Sequence, residues 1–192
     1  EKIDRVTDGT GYVRDYDLKD LQKFNAAKNH SEVIDFEYIP TFEEYCKWVK
    51  NTNLETNIEL KTGVFYYTGI EQKTIEIIKK YDLADRVMFS SFNHLSLFKA
   101  KQIEKSIPCG ILVPERGFGN AGSYCSQFGF EYFHPCYKSL TKEAVDECNQ
   151  HGIKINAWTV DDMDSLEKLT KFGVAGVISD YPEICKVWNE RR

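Results

Sequence analysis

Two charged residues, Glu59 and Lys61, carry the clearest chemical signal in this sequence. They end an alternating segment, Asn57 to Lys61, whose pattern predicts a β-strand. Because residues two positions apart on a strand project from the same face, the carboxylate and the ammonium are expected side by side. Such a pair suits a divalent cation beside a phosphate, with the lysine as a point charge for the anion. An ion pair with no further role is the alternative.

Four more candidates stand where other predicted strands end. These are Phe92, His134, Trp158 and Asp180. In parallel α/β folds the active site lies at the carboxyl ends of the strands, so these positions are of interest. His134 is a candidate ligand or acid–base group, or else a loop residue; Trp158 is a pocket wall or a core residue. Asp180, which precedes Tyr181-Pro182, is a predicted helix N-cap.

From residue 40 onward, short apolar runs alternate with amphipathic stretches of helical length. Thr41 and Glu44 predict a capping box at the start of the first helix. The apolar runs predict strands at 57–61, 87–91, 110–113, 130–133, 153–160 and 174–179. Each predicted strand is followed by a predicted helix, which makes six strand–helix units.

Strands joined through single helices run parallel, and uninterrupted apolar runs suit strands that are buried on both faces. Two architectures fit this order of elements: a doubly wound sheet and a (β/α)8 barrel. The barrel needs eight strands. Residues 1–39 do not supply the missing two, because they are polar, with a turn at 8–11 and one short helix.

Residues 117–122 match the GxGxxG pattern of dinucleotide-binding turns. The residues Pro114-Glu115-Arg116 separate this motif from its strand, and the helix after it is short. The motif also falls in the middle of the series rather than in the first unit. It is therefore interpreted as a loop on the active-site side of the sheet.

The composition is that of one folded domain, with 42% hydrophobic and 29% charged residues in a chain of 192. A net charge of -5 with dispersed lysines and arginines argues against a nucleic-acid partner. No apolar run approaches the roughly 18 residues of a membrane span, so none is expected. Six widely spaced cysteines without a CxxC pair predict reduced thiols rather than a zinc site, and hence a cytoplasmic protein.

Six short motifs occur in one order along the chain: DRVTDGTG at 4–11, IPTFEE at 39–44, NIELK at 57–61, SSF at 90–92, AWTV at 157–160 and GVAGVISDYP at 173–182. Each is weak alone, but together they resemble the glycerophosphodiester phosphodiesterase family. The resemblance implies an α/β fold of the (β/α)8 TIM-barrel type, with about six of the eight strand–helix units in this chain. It also implies that residues 1–39 belong to the small insertion after the second barrel strand, and that residues 40–192 form the last six units.

The activity implied by this resemblance is hydrolysis of small glycerophosphodiesters to an alcohol and glycerol 3-phosphate, with a divalent cation, calcium or magnesium. Glu59 then corresponds to a metal-ligating glutamate, Lys61 to a lysine beside the phosphate, and Trp158 to a tryptophan of the substrate pocket. Phe92 and His134 correspond to neighbours of the substrate.

The sequence departs from the family pattern where the family carries its acid–base histidines. The family's HRG strand, its ExD strand with two more metal ligands and its HD pair do not occur in the 192 residues. Relative to a complete barrel of ~250 residues, roughly 50–60 residues with two strands are missing. Because both family histidines are absent, this chain alone is expected to be inactive.

Three alternatives stay open at this point. The chain is a truncated, proteolysed or wrongly started piece of such an enzyme, or a natural binding or scaffold derivative without turnover. The third alternative is another barrel phosphodiesterase, of the phospholipase type. In every case an incomplete barrel exposes two strand edges, which predicts self-association.

Overall fold

The computed structural model describes residues 1–30 and 32–190. Its contacts divide the chain into two compact units. The first, here called the N-terminal unit, comprises Glu1–Leu54 and Val64–Leu83; the second, here called the sheet unit, comprises Glu55–Gly63 and Ala84–Arg192. The expected boundary between residues 39 and 40 stays a prediction.

The N-terminal unit is built from short helices. It contains α1 (Leu18–Leu21), α2 (Phe42–Val49) and α3 (Ile70–Lys80), with short 3-10 helices at Val13–Asp15 and Lys28–His30. The predicted capping box of α2 is confirmed, because the Thr41 hydroxyl accepts from the Glu44 N–H while the Glu44 carboxylate accepts from the Thr41 N–H. The buried apolar side chains of this unit are Ile3, Ala27, Cys46, Val49, Ile75, Ile78 and Leu83.

The sheet unit contains the strands and the remaining helices. Its strands are β1 (Thr56–Glu59), β2 (Val87–Ser91), β3 (Cys109–Leu112), β4 (Tyr132–His134), β5 (Lys154–Ala157) and β6 (Gly176–Val177). Its helices are α4 (His94–Ile103), α5 (Ala121–Phe128), α6 (Lys142–Gln150), α7 (Met163–Phe172) and α8 (Pro182–Glu190), with short 3-10 helices at Ala84–Arg86 and Tyr137–Ser139.

The described strands form one parallel sheet in the order β1-β2-β3-β4-β5-β6. Side chains alternate between its two faces. One face is apolar and buried, with Phe89, Ile111, Phe133 and Ile155 in its centre. The other, here called the polar face, carries Glu59, Ser90, His134 and Asn156.

The sheet is curled rather than flat. The side-chain amide nitrogen of Asn156 on β5 lies 4.0 Å from the sulfur of Met88 on β2. These strands are three positions apart, which in a flat sheet separates them by about 14 Å. Together with the six parallel units, this curvature gives an α/β fold of the (β/α)8 barrel type, as expected, and rules out an open doubly wound sheet.

The last two strands are shorter than their apolar runs predict. The run 153–160 yields a strand of Lys154–Ala157 and then a single bridge between Trp158 and Cys136, and the run 174–179 yields only Gly176–Val177. The predicted N-cap at Asp180 is wrong, because α8 begins at Pro182. Proline fits the first helical position, since its missing N–H has no partner there anyway.

All six cysteines are free thiols, five of them buried. Burial raises the pKa of the Cys109, Cys125 and Cys148 thiols to about 12, so they are protonated and chemically inert at neutral pH. Within the described ranges, no helix is both long and apolar enough to cross a membrane.

Candidate active site

The end of β1 is held in place by the end of β2 and the start of α4. The Ser91 hydroxyl donates to the Leu60 carbonyl at 2.6 Å, and the Asn93 side-chain amide donates to the Thr62 carbonyl at 3.2 Å. Thr62 also shares a hydrogen bond with Ser96 of α4 at 2.6 Å. The backbone that carries Glu59 and Lys61 is therefore fixed on both sides of Lys61.

Glu59 and Lys61 lie side by side, as their spacing predicts. The Lys61 ammonium is 2.7 Å from one Glu59 carboxylate oxygen. The lysine side chain is 61% exposed and the glutamate side chain 32%. An exposed pair of this kind contributes at most about 1 kcal/mol, so neither charge is locked to the other. Both groups remain able to turn towards a cation or an anion.

Phe92 and Trp158 form a second group at the carboxyl ends of the strands. Their ring centroids are 5.9 Å apart, with the rings at 76° to one another. The indole N–H of Trp158 donates to the His134 carbonyl at 2.8 Å, which fixes the orientation of the ring. Phe92 is 48% exposed and Trp158 is partly exposed, so this pair presents an aromatic wall to solvent.

His134 is the last residue of β4, and its side chain is entirely buried. Its Nε2 atom is 3.2 Å from the Asn156 amide nitrogen, and a Cβ at Gly110 would lie only 2.4 Å from the same atom. Burial lowers the pKa of the imidazole to about 4, so the ring is neutral at physiological pH. With the amide assigned as the donor, Nε2 accepts and Nδ1 carries the proton.

The hydrogen bonds and ring contacts thus arrange the predicted residues in two groups, Glu59 with Lys61 and Phe92 with Trp158. Strand β2 links them, since Ser90 is the register partner of Glu59 and Phe92 follows Ser90 by two residues. His134 is joined to the aromatic group by its backbone carbonyl, which accepts from the Trp158 indole. The catalytic and binding roles of all five residues stay predictions.

A cavity of about 240 Å³ opens at the carboxyl ends of the strands beside Trp158. It is lined by Glu115, Cys136, Tyr137, Lys138, Trp158, Thr159, Asp161 and Asp162. A larger cavity of about 530 Å³ lies at the amino ends and is bordered by Asn57, Met88 and Asn156, but by none of the predicted site residues. In barrels of this type the amino ends serve stability and the carboxyl ends carry the active site, and of the predicted site residues Trp158 lines the smaller cavity.

The described part of the chain does not by itself form a metal site. No group of three or more histidine, cysteine, aspartate or glutamate side chains is placed there to hold an ion. Calcium takes six to eight oxygen ligands and magnesium six. The single carboxylate of Glu59 is therefore compatible with one ligand of such a site and not with a complete site.

The structure also adds residues that the sequence interpretation missed. Ser90 Oγ and His134 Nδ1 are the buried side-chain polar atoms without a hydrogen-bond partner among the described residues. Asn156 holds the His134 ring. Ser90 and Asn156 are the two residues that were missed. Each lies two positions before a predicted site residue, Ser90 before Phe92 and Asn156 before Trp158, and so shares its face of the strand. The two-residue period of a strand could have identified them.

The GxGxxG segment has a structural explanation that needs no nucleotide. At the start of α5, the N–H groups of Gly122 and Ser123 donate to the Glu147 carboxylate at 2.7 and 2.9 Å. A bound phosphate would need these same donors. The Glu147 side chain of α6 therefore occupies the position at which the phosphates of a dinucleotide would bind.

The curled parallel sheet, with its polar and aromatic residues at the carboxyl ends, defines a barrel-type α/β protein. The family model described as Glycerophosphoryl diester phosphodiesterase family matches residues 1–184. A protein of Caldanaerobacter subterraneus named glycerophosphodiester phosphodiesterase is 36% identical over 183 residues, which cover 95% of this chain and 75% of the relative. The chain belongs to the glycerophosphoryl diester phosphodiesterase family, a family of hydrolases that generally depends on a divalent metal.

Solved structures agree with this assignment. A phosphodiesterase from Oleispira antarctica, solved in complex with the product sn-glycerol 3-phosphate, is 26% identical, covers 98% of this chain and 76% of its own, and has a TM-score of 0.81. A putative glycerophosphoryl diester phosphodiesterase from Agrobacterium tumefaciens is 19% identical with a TM-score of 0.85, covers 100% of this chain and 78% of its own, and shows the same fold.

Proposed function

We propose that this chain is the larger part of an enzyme that hydrolyses glycerophosphodiesters to an alcohol and glycerol 3-phosphate. The observation that carries the proposal is the Glu59–Lys61 pair, exposed at the carboxyl end of β1 in a member of this hydrolase family. The Oleispira relative, with sn-glycerol 3-phosphate bound, supports a small phosphate-bearing ligand. The phospholipase-type alternative has no support in the family assignment.

Different side chains of the site bind different parts of the substrate. Lys61 supplies a flexible positive charge for the phosphate, with its ammonium at present against Glu59. The Phe92–Trp158 wall supplies apolar contact area for the carbon atoms of glycerol or of the departing alcohol. The His134 carbonyl orients the Trp158 ring of this wall, and the burial of the imidazole argues against proton exchange with a substrate.

Glu59 is the proposed contribution of this chain to a divalent cation, calcium or magnesium. The ion would supply charge stabilisation on the phosphate when bound. Because the described residues hold no group of three candidate ligands, we infer that further ligands come from outside these 192 residues. The same inference applies to the acid–base histidines, since the described His134 is buried and neutral.

The test compares the 192-residue chain with a longer chain that carries an HRG and an ExD segment upstream. Both are assayed on glycerophosphocholine with Mg²⁺, with Ca²⁺ and with a chelator. Only the longer chain should show metal-dependent release of choline. Glu59→Gln in the longer chain should lower its rate by at least about 100-fold, because the ion loses a charged ligand.

Glu55→Gln is the matched control, since Glu55 borders the cavity at the opposite ends of the strands and should leave the rate unchanged. Metal-dependent turnover by the 192-residue chain, abolished by His134→Asn, would contradict the proposal. It would show that the chemistry uses a different site.

A non-catalytic binding module is the second candidate, favoured by the incomplete ligand set within the described residues. Calorimetry separates the two candidates. A binding module would take up sn-glycerol 3-phosphate without metal and without turnover in any longer form. A cytoplasmic location, supported by the free and buried thiols, also stays a prediction.

A further inference from the structure

His94 connects three elements of the sheet unit. It is the first residue of α4, directly after the N-cap Asn93. Its Nε2 atom is 3.0 Å from the Leu112 carbonyl at the end of β3, and its Nδ1 atom is 3.1 Å from the Tyr124 hydroxyl on α5. Both ring nitrogens are therefore engaged.

The partners identify which tautomer of the ring fits this site. A carbonyl oxygen can only accept, so Nε2 carries the hydrogen and donates it to Leu112. Nδ1 is then an acceptor, and the Tyr124 hydroxyl donates to it. The ring thus joins the end of a strand to the helix that follows it, across the loop of residues 113–120.

Phe118 in this loop packs against the same cluster. Its ring centroid is 6.2 Å from that of His94 and 5.1 Å from that of Tyr124, with near-perpendicular rings in both pairs. His94 and Tyr124 are themselves 5.5 Å apart. Elsewhere the loop is anchored by the buried Val113 and by the Gly117 N–H, which donates to the Pro114 carbonyl at 3.0 Å, while Glu115 and Arg116 are exposed.

The loop reaches the cavity beside Trp158 at two points. Glu115 lines the cavity directly. Gly117, at a positive φ of 84°, lies against Ser139, so close that a Cβ at this glycine would be 3.4 Å from the serine side chain. Ser139 ends the 3-10 helix whose Tyr137 and Lys138 also line the cavity. A shift of the loop would therefore displace Glu115 from the wall of the cavity.

We propose that His94 is a positioning residue that holds the loop of residues 113–120 as a wall of the substrate cavity. The link to substrate rests on the proposed function; the link to the loop does not. His94 acts on the loop through its contacts with Phe118 and Tyr124.

The first measurement is limited trypsin cleavage after Arg116, the exposed arginine within the loop. His94→Ala and Phe118→Ala should each raise the cleavage rate at this bond by about tenfold, since the loop opens locally more often. Tyr124→Phe, which keeps the ring and loses only the hydroxyl, should give a smaller increase. His94→Gln should restore part of the protection, because its amide can donate to the Leu112 carbonyl.

His151→Ala is the matched control, since His151 pairs loosely with Glu147 at 3.7 Å at the end of α6. Cleavage at other lysines and arginines reports any general loss of stability. The proposal is overturned if His94→Ala and His151→Ala are cleaved equally after Arg116, or if cleavage rises uniformly along the chain.

The second measurement uses the longer, active enzyme. His94→Ala should raise KM for glycerophosphocholine about fivefold or more while kcat stays within about twofold, as expected for a lost wall of a binding site. A fall in kcat at unchanged KM overturns the proposal. An enzyme inactive in its wild-type form refutes the proposed function, while the cleavage pattern still decides whether His94 holds the loop.

Discussion

At the scale of single residues, His134 couples protonation to folding. Its ring is fully enclosed, Nε2 is held by Asn156, and burial lowers its pKa to about 4. In the unfolded chain a histidine has a pKa of about 6.5. Below that pH the unfolded state binds a proton that the folded state rejects, so stability falls as the pH falls from about 6.5 towards 4.

We therefore predict that the free energy of unfolding drops by about 2 kcal/mol from this residue between pH 7 and pH 5. Urea denaturation at the two pH values measures the drop. In His134→Asn the dependence should be nearly flat in this window, although the variant is less stable at pH 7. His151→Gln, at an exposed position, should keep the wild-type dependence. A wild-type curve without any slope would show that the ring titrates normally.

At the scale of elements, helix α5 packs closely against α6 because Gly122, at the contact, has no side chain. A Cβ at Gly122 would lie 2.8 Å from the Cys148 Cα and 2.8 Å from the Glu147 carbonyl oxygen. Both atoms belong to the backbone and cannot turn away. The close approach is also what allows the Glu147 carboxylate to cap the first N–H groups of α5.

Gly122→Ala should accordingly destabilise the protein by about 2 kcal/mol, because the two helices must separate. Gly119→Ala is the matched control in the same motif, since nothing lies within 4 Å of the Cβ position there. Chemical denaturation of both variants tests the difference. Equal midpoints would mean that the two helices have room to move apart without cost.

At the scale of the whole molecule, the described sheet has two edges that lack a neighbour. Strand β1 pairs only with β2, and β6 only with β5. Unpaired edge strands invite pairing with another chain. On β1 the Leu60 N–H points to β2, where it donates to Ser90. By alternation, the N–H groups of Asn57 and Glu59 point to the free side.

We predict that the 192-residue chain self-associates through these edges, with light scattering showing a mass that rises with concentration. Asn57→Pro removes one free donor without touching the pairing to β2, and should shift the distribution towards monomer. Val33→Pro, at an exposed position of the N-terminal unit, is the control. A compact monomer at every concentration, with no added peptide, would contradict the prediction.

The sequence by itself determined the order of strands and helices, the capping box at Thr41 and Glu44, and the pairing of Glu59 with Lys61. It also placed Phe92 and Trp158 at strand ends, where the structure joins their rings. These features depend on periods of two and 3.6 residues and on capping signals, all of which act within a few positions of the chain. Local chemistry is therefore sufficient to predict them.

Only the tertiary structure decided the curl of the sheet, the burial of His134, the junction at His94 and the capping of α5 by Glu147. Each of these depends on side chains from distant parts of the chain, such as Asn156 with Met88 or His94 with Tyr124. Their meeting is set by how the helices and strands pack, and packing follows shape and volume summed over many residues. No local period carries that information, and for this reason only the structure shows that the His94 ring joins a strand, a loop and a helix.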